Sequence, residues 1–483
     1  TEHLVLTGVA VVHKGVTLAA ADTTVVKFRK LSRAEFRSLL LILASVALWF
    51  IGYNSITSKY SVYATNILGF DFNLTLIIAQ AAAIISYIPV GIISSKIGRK
   101  KAILAGVVLP AVDVTFCGKA AAAVAPLLLA KAEKDGVAKA DLRLNIALDP
   151  LVKGMTVKGA CCDCEAVVSL VKATQEYKKV RVITVMGHNF SDAGSTIVEE
   201  LAFSLAAAHD YLVWLMEEGC TIDEVARKIR FSFAVTSNYF MEMAKFRAAR
   251  MLWANIVKGY NPEKECSSKM FAHAVTSSWN QTVYDPYVNM LRGTTEAMSA
   301  TLAGVHSLEV VPFNASYEEP TEFSKRIARN VELLLKHESH FDQVVDPAGG
   351  SYYIETLTKN IAEQAWKLFL EVEDKGGYVA AFKAGFVVEK VKASAAAKDK
   401  NITTRRQILL GANQYPNFTE VADAAVAVED VTRVEGENVI TPYRGAMAFE
   451  SMRLGVDRSG KEPKAFMLTC GSLAWARARA QFA

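Results

Sequence analysis

The chain has 483 residues, a formal net charge of +5 and a hydrophobic fraction of 52%, enough for a large core and more than one domain. So slight a charge, with basic residues scattered apart from Lys96, Arg99, Lys100 and Lys101, gives no basis for nucleic-acid binding. Seven cysteines without a spaced framework suit reduced thiols in a cytosol and exclude a secreted disulfide scaffold, so the expected location is cytoplasmic. In chain order, the opening Thr1-Glu2-His3 carries no signal peptide and reads as the start of a fragment or a processed chain. Residues 1–32 are short Val, Thr and Ala runs that predict at most a strand or two.

The next stretch changes character. Leu39–Ile51, extendable to Phe36–Tyr53, is almost uncharged, Leu74–Ser94 has no charge at all, and Ala102–Val112 is apolar too. Only the second reaches the ~20 residues that a membrane span needs. Between the second and third lies GIISSKIGRK, Gly91 to Lys100. It resembles the loop after the second transmembrane helix of major facilitator superfamily transporters, G-x-x-x-D-R-x-G-R-K. Ser95 stands in the acidic position and Lys96 in the first basic one. A basic loop between apolar segments also suits the positive-inside rule. The resemblance covers about residues 53–108, too few helices to enclose a translocation path. A pair of buried core helices joined by a solvated turn fits the same residues.

From Val112 onward, strands and helices alternate. Val112–Phe116 predicts a strand, followed by a helix over Lys119–Lys134 that Pro126 kinks or restarts. Strands follow at Leu142–Leu148 and Val180–Val185, with helices at Glu165–Tyr177 and Ser195–Glu218. Cys161, Cys162 and Cys164 lack a second CxxC or HxxxH partner and read as small residues opening the first of these helices, so no metal site is expected. Thr221 with Glu224 is a capping-box signature. Phe231, Phe233 and Val235 then alternate with Ser232, Ala234 and Thr236 as a strand, and helical spacing takes over from Asn238 to a stop at Gly259. Further units are Phe271–Thr276 with Tyr287–Ala303, Leu308–Phe313 with Glu322–His337, and Val344–Val345 with Tyr353–Val372. Seven repeats, with an eighth strand disguised upstream, predict a closed (β/α)8 barrel of the TIM type over an open doubly wound sheet. No G-x-G-x-x-G follows any strand, which weighs against a dinucleotide site. Val379–Lys398 predicts another helix. The expected domains are an apolar helical segment over 1–111, the barrel over 112–410, a linker over 411–440, and over 441–483 the start of a flavodoxin-like domain, with a strand at Ala465–Thr469 and a helix at Ser472–Ala480.

Several long stretches carry a second resemblance. They are FMEMAKFRAARMLWANIVK, YDPYVNMLRGTTEAMSAT, EEPTEFSKRIARNVELLLK, VVDPAGGSYYIETLT and TPYRGAMAFESMRLGVDRSGKEPKAFMLT. Over about 112–483 the chain resembles the methylmalonyl-CoA mutase family, most closely the small, non-catalytic subunit of heterodimeric bacterial enzymes. The resemblance implies a barrel that in active subunits surrounds an acyl-CoA, then a domain holding adenosylcobalamin, and a radical isomerisation of methylmalonyl-CoA to succinyl-CoA. The cofactor carries the hard step, and the protein orients substrate and excludes water.

Residue by residue, the family's active pattern is depleted here. Gly-Tyr-His becomes Gly187-His188-Asn189, and Asn189 donates a hydrogen bond but does not titrate. H-x-Q-T-S-x-W becomes His273-Ala-Val275-Thr-Ser-Ser-Trp279, with Val275 unable to hydrogen-bond through its side chain. A CoA-binding Arg aligns with Lys228 and a Gln with His306; Lys228, His306 and Ser307 are the remnants of a substrate site. The resemblance therefore implies no catalytic residue in this chain, with His188, Asn189, His273 and Val275 as degenerate positions. The cobalamin motif D-x-H-x-x-G does not occur, so adenosylcobalamin is expected on a large catalytic partner subunit in a heterodimer. Asp346-Pro-Ala-Gly-Gly350 has no Lys-Ser/Thr after it and reads as a turn, not a phosphate loop. Two rival readings are a transporter fragment, and a composite of unrelated pieces joined near Leu109–Val112.

Overall fold

The sequence RFSFAV forms the most enclosed strand of the molecule, because apolar and polar positions alternate and both faces are covered. In the computed structural model, which describes residues 114–117, 121–134, 136–152, 164–417, 419–434, 436 and 439–460, this strand is β4, Ile229–Val235, and all seven of its residues are buried. Five others join it in a parallel sheet: β1 (Val114–Phe116), β2 (Leu144–Leu148), β3 (Val180–Met186), β5 (Ala272–Thr276) and β6 (Ser307–Glu309). Their spatial order is their chain order, β1-β2-β3-β4-β5-β6. Every crossover therefore runs in the same direction, as in a barrel and unlike a doubly wound sheet, whose order reverses.

The helices between them are α1 (Ala121–Lys134), α2 (Cys164–Ala173), α3 (His188–Asp192), α4 (Ile197–Glu217), α5 (Ile222–Val225), α6 (Tyr239–Lys258) and α7 (Val288–Leu302). After β6 come α8 (Glu322–His337), α9 (Tyr352–Glu373), α10 (Tyr378–Lys383), α11 (Phe386–Thr403) and α12 (Met447–Ser459). The outward residues of β4 meet the helical layer through aromatic contacts. Phe231 and Phe233 stack at 5.7 Å, Trp253 of α6 meets Phe231 edge-on at 4.9 Å, and Phe246 meets Phe233 at 5.9 Å. Such pairs add about 0.5–1.5 kcal/mol each beyond the area they bury. Helix α4 starts on the capping box of Thr196 and Glu199. Thr221 N–H likewise donates to Glu224 Oε2 at 2.8 Å, as their spacing predicts.

The closed eight-stranded barrel needs correction. Among the described residues the sheet is a six-stranded parallel arc, half a barrel, with β1 and β6 as its edges. No strand forms at Val344–Val345. These two valines are 59% and 94% exposed, and the chain reaches them through a 3-10 turn at Phe341–Gln343. His340 (φ 54) and Asp346 (φ 47) on either side are left-handed, which interrupts the extended conformation that a strand requires. The strand expected upstream of Val112 and the apolar segment over 1–111 fall largely or wholly outside the described residues, as do the elements expected at Ala465–Thr469 and Ser472–Ala480. The helix expected over Val379–Lys398 is two helices. Gly385, at φ 84, separates α10 from α11.

Between α11 and α12 the described residues are irregular but packed. Val426 and Val431 bury against Val283, Tyr284 and Leu454. The TPYRG segment lies over the loops at the ends of β3 and β5: Tyr443 N–H donates to Asp192 O at 2.9 Å and Gly445 N–H to Trp279 O at 3.0 Å. A Cβ at Gly445 would come within 2.8 Å of the Trp279 ring, so the close approach requires glycine.

Candidate functional site

In parallel sheets of this winding, the ends of the strands carry the chemistry. The residue after β3 is Gly187, where a Cβ would overlap Ser204 Oγ of α4. Glycine thus lets the chain turn tightly into α3, whose first two residues are His188 and Asn189. His188 Nδ1 lies 2.9 Å from Ser232 Oγ on the concave face of β4. One register step away, Ser232 pairs with His273 of β5, and His273 with Ser307 of β6. His273 Nδ1 is 2.9 Å from Ser307 Oγ, and its Nε2 is 3.8 Å from Glu309 Oε2. Val275, the next residue of β5 on this face, pairs with Ala234 and Glu309.

Arg230 completes the face. It is buried on β4, two residues before Ser232, and its Nη1 donates to Thr115 Oγ1 of β1 at 2.8 Å. Asn145 of β2 donates to the same hydroxyl at 3.5 Å. A buried guanidinium here shapes the titration of its neighbours. Burial above all, with Arg230 adding to it, holds the His273 imidazole below its ordinary value despite the carboxylate of Glu309. Glu309 is held below the usual carboxylate range chiefly by the His273 imidazole beside it, helped by the charges of His188 and Arg230.

Lys228 and His306 sit elsewhere. Lys228 ends a 3-10 turn, Ala226–Lys228, at the start of β4. Its Nζ donates to the carbonyls of Thr174, Tyr177 and Val180 at 2.5, 2.8 and 3.2 Å. Burial, with Arg227 and Arg181 nearby, lowers its pKa to about 7. A cleft of about 380 Å³ opens beside it, lined by Tyr177, Asp223, Arg227 and Lys264 but by none of the residues around His188 and His273. His306 precedes β6, accepts from Ala272 N–H at 3.3 Å and stacks on Phe271 at 4.3 Å. Trp279 is buried against Tyr443, with Lys398 over its ring at 4.9 Å. The structure thus brings His188, His273 and Ser307 together with Ser232, Arg230 and Glu309, and sets Lys228 and His306 at strand starts. Cys164 opens α2, while Cys161 and Cys162 lie outside the described residues.

Arg230 and Glu309 were not expected from the sequence. The alternation that places Ser232 on the concave face also places Arg230 there, so the signal for Arg230 was present. Glu309 depends on where β6 ends.

Comparison with known proteins bears on this face directly. The family model described as methylmalonyl-CoA mutase matches residues 89–441, which takes in every strand and all but one of the helices above. The chain belongs to the methylmalonyl-CoA mutase family. That match also corrects the transporter reading of residues 53–108. It runs through the Gly91–Lys100 motif on which that reading rested and continues unbroken across Leu109–Val112. Among the described residues, no helix is long and apolar enough to cross a membrane; residues 53–108 themselves lie outside them. Relatives include the methylmalonyl-CoA mutase small subunit of Porphyromonas gingivalis, 44% identical over 390 residues, 79% of this chain and 63% of that protein. The small subunit of Streptomyces virginiae is 34% identical over 387 residues, covering 79% and 62%. The methylmalonyl-CoA mutase of Rhizobium meliloti is 34% identical over 360 residues, covering 71% and 50%. The chain thus spans between half and two thirds of the length of these relatives.

Proposed function

We propose that this chain is the small subunit of a heterodimeric methylmalonyl-CoA mutase, and that it supports a catalytic, cobalamin-binding large subunit without performing the rearrangement itself. The observation that carries the reading is the way the concave face is closed on itself. His188 is tied to Ser232, His273 to Ser307 with Glu309 facing its other nitrogen, and Arg230 to Thr115. Each of these three basic side chains is thus engaged by another group of the chain. Where the family's active pattern has a Gln and a His, Val275 and Asn189 offer no acid–base group. The similarity to two proteins named as small subunits supports the same reading.

Adenosylcobalamin supplies homolysis of a cobalt–carbon bond where it is bound. On this face the Nδ1 atoms of both histidines are engaged by hydroxyls of the chain, His188 by Ser232 Oγ and His273 by Ser307 Oγ, each at 2.9 Å. No step is therefore assigned to the cofactor here. The test is reconstitution with a separately expressed large subunit. The expected result is a stable complex whose turnover of methylmalonyl-CoA requires the large subunit and cobalamin. Turnover by this chain alone with added adenosylcobalamin overturns the reading, and so does a failure of the two chains to associate.

A further inference from the structure

On the helical layer, away from the concave face, α4 and the end of α9 bring together three groups of metal-binding type. His209 and Asp210 are consecutive on α4, and Glu373 is the last residue of α9. One donor atom from each, an imidazole nitrogen and two carboxylate oxygens, lie within 4.8 Å of one another. Among the described residues this is the one such group. His209 Nδ1 is 2.9 Å from Glu373 Oε2, and its Nε2 is 2.7 Å from Tyr260 OH. The hydroxyl fixes the ring from behind, in the manner of the outer partners that orient metal-binding histidines.

Two features of Glu373 mark the arrangement as short of positive charge, and Asp210 crowds the same space. Glu373 Oε1 is buried and has no hydrogen-bond partner, although an unsatisfied buried carboxylate oxygen is costly. Glu373 also sits at the C-terminus of a 22-residue helix, where the backbone dipole favours a cation and disfavours another negative group. Asp210 is pressed into the same space. Its Oδ2 accepts from Val379 N–H at 2.9 Å, and the chain turns past it at Gly377 (φ 90), where a Cβ would stand 2.5 Å from Oδ1.

We propose that His209, Asp210 and Glu373 form a binding site for a divalent transition-metal ion, which clips α4 to the α9–α10 turn. One nitrogen and two carboxylate oxygens match zinc or its first-row neighbours; calcium and magnesium prefer an all-oxygen shell. Small rotations of the three side chains bring their donors to the ~2.0–2.2 Å that such ions require. Nδ1 of His209 gives its lone pair to the metal while Nε2–H donates to Tyr260. The carboxylate of Glu373 turns from the ring to the ion, and the imidazole releases a proton if it carries one. Water completes the coordination.

The full chain, stripped with chelator and titrated with ZnCl2, tests this by calorimetry. One equivalent should bind that His209→Asn and Glu373→Gln each lose, while His337→Asn keeps it. Zinc at a hundredfold excess over its Kd should raise the wild-type Tm by about 3 °C and leave both loss variants unmoved. Should those variants not fold, diethylpyrocarbonate footprinting of the wild type decides, because zinc should shield His209 from modification. An unchanged equivalent in both variants, no bound zinc, or no shielding of His209 overturns the site.

Discussion

Two polar clusters border β4, and they are built differently. On the concave face His188 meets Ser232, His273 meets Ser307 and Arg230 meets Thr115 through side-chain hydrogen bonds, and His188 is only half-buried. On the helical side, Lys245 of α6 is wholly buried and its Nζ reaches Glu200 Oε2 at 2.7 Å, Glu242 Oε2 at 2.6 Å and the carbonyl of Ala234 at 2.6 Å. Glu200 in turn accepts from Ala234 N–H at 2.7 Å, and Glu242 from Thr236 Oγ1 at 2.5 Å. Burial works against the charge on Lys245, yet Glu200 and Glu242 outweigh it and its pKa is raised. Burial also lifts the Glu200 carboxyl to about 7, with Lys245 opposing and Glu242 reinforcing the rise. The cluster that shapes the fold is held several times over. The concave cluster, where the family's chemistry would sit, is built instead on hydroxyl partners and leaves His188 only half-buried.

The largest effect expected from this contrast is at Lys245. Lys245→Met leaves two buried carboxylates without their cation and should cost about 3–5 kcal/mol, read as a fall in the urea midpoint at constant m. Adding Glu200→Gln and Glu242→Gln should recover much of that loss, because an uncharged trio carries no stranded charge. A Lys245→Met protein as stable as the wild type would remove the distinction between the clusters. Next in size is Gly187→Ala, whose Cβ would overlap Ser204 Oγ; a cost of about 1–3 kcal/mol is expected. Ser204→Ala in the same chain should restore most of it. This separates a steric requirement at the start of α3 from any role of His188 and Asn189.

How far the fold could be read depended on whether local pattern or long-range closure decides each element. Helix α8 forms over Glu322–His337, as its spacing predicts, because Thr321 caps it and its apolar stripe is regular. The strands from β1 to β5 likewise follow from alternation and β-branched runs, whereas the strand expected at Leu308–Phe313 forms over Ser307–Glu309 and stops early. What failed was the count. Val344–Val345 has strand composition, but composition is silent about the left-handed residues at His340 and Asp346 that end the run. The helix over Val379–Lys398 hid a break at Gly385 for the same reason, since a helical pattern tolerates one glycine until its φ is known. At the candidate site, His188 and His273 were visible as remnants of a motif. Their partners Ser232 and Ser307 depend on which residues pair across β3–β4–β5–β6, and register is a property of the assembled sheet. Trp279, three residues beyond the end of β5, is drawn instead into a small core with Tyr443 and Ile402.

The smallest effect concerns the concave cluster itself. The folded protein holds His273 below its ordinary pKa, chiefly by burial and then through Arg230. In the unfolded chain the same ring titrates near 6.5. Above that value both states carry a neutral ring, and His273 makes stability no more pH-dependent. As pH falls through it, the unfolded chain takes up a proton that the folded protein resists, so stability declines until the folded ring titrates too. Urea unfolding at about pH 7.5 and about pH 5.5 should therefore show a steeper acid loss in the wild type than in His273→Asn. Arg230→Met should lessen that loss by removing the positive neighbour, whereas Glu309→Gln should deepen it by removing the carboxylate that opposes the shift. If His273→Asn leaves the slope unaltered, the hydrogen bond to Ser307 does not hold the ring in its buried place, and the concave face is looser than its partner cluster.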